Sequence, residues 1–139
     1  MKTYILTGRQ GEYDDTRIFI VAVSRDRMKV EQVKAQKETI ETYKKIQHEI
    51  YDKTYEMYRE LERQFYNQNP QPELYNGSVK NEQDWDKHNE KHDAFFLVAW
   101  GESLNTVLKQ YGVQRNFMPE GTEFPDELIK YSISEWEEL

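Results

Sequence analysis

The chain has 139 residues, a length that suits one domain, and it contains no cysteine, which excludes disulfide frameworks, zinc ribbons and thiol nucleophiles. Apolar residues make up only 37% and charged residues 32%, yet aromatics reach 14% with ten Tyr, six Phe and three Trp, so a disordered chain is excluded and an aromatic-rich core is predicted. The net charge of −7 comes without any block of Lys and Arg, which excludes a phosphate-tracking nucleic-acid binder. No apolar run approaches a membrane span and the N-terminus lacks signal-peptide features, so the expectation is a soluble cytoplasmic protein.

In chain order, residues 2–7 alternate weakly and end at Gly8, which suits a short strand. Residues 8–15 (GRQGEYDD) have the composition of a hairpin connection longer than two residues. Residues 17–23 form a second strand whose IFIVAV core is apolar on both parities, Ile18/Ile20/Ala22 and Phe19/Val21/Val23. A strand buried on both faces belongs in the middle of a sheet, and that is where the pattern places it.

A single helix is predicted from about residue 25 to residue 66, free of Pro and Gly, with Ser24 as N-cap. From Ser24 to Asn67 it carries ten basic and nine acidic residues and is therefore close to neutral. At 100° per residue, Ile40, Tyr43, Ile50, Met57 and Leu61 lie along one side. Tyr51, Tyr55, Tyr58 and Tyr66 cluster about a third of a turn away. Lys45, Glu49, Lys53, Glu56, Glu60 and Arg63 fall on the opposite face. Asn67 to Pro72 ends the helix and Asn76-Gly77 marks a turn.

A second helix is predicted over about residues 82–111, with Asn81 as cap and Gly112 as stop. The short connection lets it pack antiparallel to the first. Residues 128–137 then return as a strand with Ile129, Tyr131 and Ile133 on one face. The expected fold is a single α+β domain over residues 1–139, with a small antiparallel sheet (N-terminal hairpin plus C-terminal strand) and a long antiparallel helical hairpin.

The N-terminal strand, the Glu12-Tyr13-Asp14-Asp15 turn, the second strand and helix, and the closing segment from Tyr131 to Leu139 (YSISEWEEL) resemble a loose group of short uncharacterised proteins from phage, prophage and bacterial genomes. The similarity covers about forty residues at the two ends. This chain departs from the group by its longer first helix and its additional second helix. The resemblance implies a phage-type accessory protein and carries no active site.

Three constellations invite a chemical reading. Asp84, His88 and His92 stand at i, i+4 and i+8 on the second helix, a spacing that sets two imidazoles on one face. The helix phase supplies no further ligand, because Glu56 and Glu60 point away and His48 is about two turns distant. No metal and no cofactor are expected. Ser103 lies more than about 15 Å along the helix from either histidine, too far for a nucleophile and its base. Glu12, Tyr13, Asp14 and Asp15 make an acidic turn without calcium-loop spacing, read as a contact tip. Tyr51, Tyr55 and Tyr58 form a shelf that reads as a binding face, and Glu135, Glu137 and Glu138 make the last strand acidic.

A helix of about 65 Å is too long to be covered by so small a sheet and a shorter helix. The leading expectation is therefore a non-enzymatic protein-interaction module. Its partner would be a host or defence protein that it modulates or inhibits, engaged through Tyr51, Tyr55, Tyr58, Tyr13, Asp14, Asp15, Glu135, Glu137 and Glu138. Neither nucleic acid nor membrane is an expected partner. One alternative is a small-ligand or metal-binding protein, possibly an enzyme, centred on His88 and His92. Another is a self-associating structural protein, a homo-oligomer whose long helices pair.

Overall fold

In the computed structural model, residues 1–11, 15–72, 74–75, 78–79 and 82–137 are described. The expected tip residues Glu12, Tyr13 and Asp14, the acidic Glu138, the turn Asn76-Gly77 and the cap Asn81 lie outside them. The elements run β1 (Lys2–Gln10), β2 (Arg17–Ser24), α1 (Arg27–Gln68), β3 (Leu74–Tyr75), β4 (Ser78–Val79), α2 (Glu82–Tyr111) and β5 (Ile129–Glu137), with a 3₁₀ turn at Arg115–Phe117. The fold is α+β. Its three-stranded antiparallel sheet has the order β2-β1-β5, and β3 pairs with β4 in a small hairpin. The chain divides into two compact units, Met1–His48 with Phe124–Leu139, and Glu49–Glu123.

In the first unit the sheet corrects one expectation. β1 is the central strand, and the doubly apolar β2 is an edge. A bulge causes the misreading: the β1–β2 register shifts between Leu6 and Thr7, so that Leu6 faces Ala22 and Thr7 faces Ile20. The extra residue, Val21, moves Val23 to the side of Ile18 and Ile20. Strict alternation would have set them on opposite faces. β1 also continues past Gly8, because Gly8 lies beneath the ring of Phe19. A Cβ there would come within 2.6 Å of Phe19 Cζ.

The first half of α1 lies on the face of the sheet that carries Tyr4, Leu6, Tyr131 and Ile133. Leu6 and Val30 are buried on this side. Arg27 stacks on Tyr4 and bonds to Glu135, and Glu41 accepts the Ile129 N–H at 2.8 Å. The less exposed residues of this half are Val30, Val33, Lys34, Lys37, Glu41, Lys44, Ile46, Gln47 and His48. That set is mostly polar. Ile40 and Tyr43, which helical spacing sets on the same side as Ile50, are 51% and 55% exposed. The helix starts two residues later than expected, and its cap is Asp26, whose Oδ1 accepts the Met28 N–H at 3.0 Å. Ser24 instead accepts the N–H of Asp26.

In the second unit α1 and α2 form the expected antiparallel hairpin. Tyr51 and Tyr58 meet Trp100, while Phe65 stacks on Phe95 and Tyr66 on His88. Tyr58, Ala99 and Trp100 centre the core, with Ile50, Leu104, Val107 and Leu108 also buried. α2 ends as its sequence implies. Gly112 has φ +67°, the Val113 N–H reaches the Leu108 carbonyl at 3.1 Å, and the Gly112 N–H reaches that of Lys109 at 3.2 Å. These two bonds are the pair that closes a helix on a left-handed glycine. Among the described residues, no helix is long and apolar enough to cross a membrane.

Candidate functional site

Tyr58, Glu62, Phe65 and Tyr66 recur on α1 at the spacing that puts them on one side of the helix. They face His88, His92 and Phe95 of α2. The Tyr58 hydroxyl donates to Glu62 Oε2 at 2.6 Å, and His92 Nε2 lies 3.0 Å from the same oxygen. The hydroxyl and the imidazole are 3.5 Å apart. Tyr66 stacks on both imidazoles, at 5.8 Å from His88 and 5.7 Å from His92. Phe65 meets His92 edge-on.

The electrostatics follow from burial and this shared oxygen. Burial pushes the Tyr58 phenol up, and the carboxylate it bonds to pushes it further. Burial alone would raise Glu62. The hydrogen bonds from Tyr58 and His92, with the charges of His92 and Arg59, outweigh it and hold the carboxyl below its ordinary value. A phenol held neutral is no base at neutral pH, and the histidine nitrogen beside it is occupied by a carboxylate. The arrangement is a polar clamp between two helices.

The structure thus brings His88 and His92 onto one face, as their spacing implies, but sends them to different surroundings. His92 turns to Glu62. His88 is buried against Phe65, Tyr66 and Trp85, at the rim of a cleft of about 300 Å³ that Asp84, Lys87 and Lys91 also line. Among the described residues, no three His, Asp or Glu side chains stand where they could share a metal ion. His48 belongs to the other unit, where its Nε2 donates to the Asp126 carbonyl at 2.8 Å. Ser103 is in the core. Glu62 was missed in the sequence, although its i+4 spacing from Tyr58 was there to read.

The tyrosine shelf is split. Tyr58 is 4% exposed and belongs to the core, which corrects its reading as a contact residue. Tyr51 is half-buried against Trp100. Tyr55 stays 44% exposed with Arg59 over its ring. Of the acidic residues, Asp15 and Glu137 are exposed, and Glu135 is engaged by Arg27 at 2.9 Å and Lys2 at 3.7 Å.

A bare apolar surface of the first unit lies elsewhere. The face of the sheet turned away from α1 carries Ile18, Ile20 and Val23 of β2, Thr3, Ile5, Thr7 and Arg9 of β1, and Lys130, Ser132, Ser134 and Trp136 of β5, as the registers place them. Ile18, Ile20, Val23 and Trp136 are 68%, 67%, 56% and 69% exposed. Among the described residues this face has two cationic side chains and no carboxylate, in a chain where acids outnumber bases by 26 to 19. The signal was present as apolarity on both parities of β2. Such a pattern implies burial on both faces. No protein-family model matches the chain, and neither a curated protein nor a solved structure does.

Proposed function

We propose that the chain is a non-enzymatic protein-interaction module that docks a partner on the outer face of its sheet. The observation that carries this reading is the exposure of Ile18, Ile20, Val23 and Trp136 together on that face. Covering one such side chain is worth roughly 1.5–3 kcal/mol, so four leave a large free energy to a fitting surface. Charge defines that surface. With Arg9 and Lys130 at one end and no carboxylate between them, the face fits a protein that presents an apolar patch bordered by Asp or Glu. A bacterial host or defence protein is the partner class that the resemblance to phage proteins suggests.

The test compares wild type with Ile20→Glu as baits in a bacterial lysate, then measures the affinity of the identified, purified partner. Ile20→Glu is expected to weaken binding by more than tenfold. Arg9→Glu combined with Lys130→Glu should weaken it less and abolish its salt dependence. A partner that binds Ile20→Glu as tightly as wild type overturns the reading.

A further inference from the structure

We infer that a second copy of this chain adds its β5 antiparallel to β5, joining two three-stranded sheets into one of six strands about a two-fold axis. The inference goes beyond the docking reading and stands independently of it.

Among the described residues the sheet has two open edges, β2 and β5, and they are not equivalent. β2 carries the bulge, a device that bends an edge away from an incoming strand. β5 pairs with β1 over all nine of its residues without a register shift, and it contains no Pro. Its free side is defined by one contact. The Ile129 N–H donates to Glu41 rather than to β1. In an antiparallel ladder the direction of the backbone groups alternates, so those of Tyr131, Ile133 and Glu135 also face away from β1. They open on a groove of about 500 Å³ between β5 and the first half of α1, lined by Tyr131 and Ile133 on the strand and by Lys34, Ala35 and Glu38 on the helix. A strand laid along β5 fills this groove with every second side chain, against Ala35.

Cross-strand pairing selects a copy of the same strand as the occupant. β5 starts with Lys130 and ends with Glu135 and Glu137. Antiparallel pairing centred on Ile133 keeps the Lys130 side chains of the two copies at opposite ends of the interface, and likewise their Glu135 and Glu137 side chains. Lys130 then stands across from Trp136 of the second copy, Tyr131 across from Glu135, Ser132 across from Ser134, and Ile133 across from itself. The Lys–Trp, Ser–Ser and Ile–Ile pairs are favourable across strands. A parallel copy would set like charges abreast. The interface is isologous.

Sedimentation equilibrium tests it. The mass of the wild type is expected to rise with concentration from 16.8 kDa toward twice that value. Glu135→Pro removes an outward N–H and leaves the ladder with β1 intact, so this variant should stay monomeric with unchanged far-UV circular dichroism. Because the chain has no cysteine, Ile133→Cys reports the geometry directly. Self-opposed residues of such a pair lie about 5.5 Å apart, within disulfide reach. Ile133→Cys should cross-link under mild oxidant and Ile20→Cys should not. A wild type that is monomeric at submillimolar concentration overturns the inference. So does a dimer that cross-links through Ile20→Cys and not through Ile133→Cys, since that places the copy on the outer face. Ile20→Glu, which tests the docking reading, should leave this dimer intact.

Discussion

Glu62 ties the two helices of the hairpin together. Two donors, Tyr58 and His92, converge on one of its oxygens, and its carboxyl is held below the ordinary range. A carboxyl with a depressed folded-state pKa contributes stability that is present above its unfolded pKa and lost as pH falls through the folded one. Urea midpoints should therefore fall as the pH drops below the ordinary glutamate range and Glu62 takes up its proton, and Glu62→Gln should flatten that limb while lowering stability at neutral pH. Equal acid sensitivity in wild type and Glu62→Gln would assign the loss to other carboxylates. Gly8 is a second case where one atom decides. Gly8→Ala must lift the Phe19 ring off β1, which is expected to cost about 1–2 kcal/mol, and the cost should shrink in a Phe19→Leu background. The glycine was visible in the sequence, but it read as the end of a strand. Nothing local shows that a ring from the neighbouring strand covers it.

At the scale of elements, hydrophobic period located both helices and three strands, because those patterns are local. It failed where a face is not apolar. The half of α1 that lies on the sheet turns Lys34, Lys37, Glu41 and Lys44 inward, and burial there is achieved by pairing, with Glu41 accepting from both Lys44 and the Ile129 N–H. A search for an apolar stripe passes over such a face and selects Ile40 and Tyr43 instead. The hairpin half obeys the ordinary pattern, and Ile50 is fully buried as expected. The two halves make a sharp contrast in mutagenesis. Ile50→Ala should destabilise by about 2–4 kcal/mol and Ile40→Ala by less than about 0.5 kcal/mol in urea unfolding. Similar losses at both positions would mean that the helix phase across the first unit is wrong. The candidate surface was hidden by the same kind of failure. The apolarity of β2 was legible, whereas the bulge that gathers Ile18, Ile20 and Val23 on one side was not, because a bulge depends on the partner strand.

Across the whole molecule the two units differ in how far apart in sequence their partners lie. The helical-hairpin unit is continuous in the chain, from Glu49 to Glu123. The sheet unit closes the chain ends on each other, with Lys2 opposite Glu137 and Gln10 opposite Ile129. Pairing over so long a loop costs closure entropy before any contact repays it, so the sheet is expected to form after the hairpin. The sheet unit also has the thinner core. Leu6, Val30 and Pro125 are its buried apolar side chains among the described residues, and the inner stripe of α1 is largely polar. Leu6 is therefore the residue whose truncation should separate the units. Leu6→Ala is expected to cost about 2–5 kcal/mol, a large part of what so small a core supplies. In native-state hydrogen exchange the amides of β1 and β5 should lose protection together, while those of α2 around Trp100 keep theirs. The near-ultraviolet signal of the buried Trp100 should persist under the same conditions. If amides in both units lose protection to the same extent, the chain unfolds as one cooperative body and the division into two units has no energetic meaning.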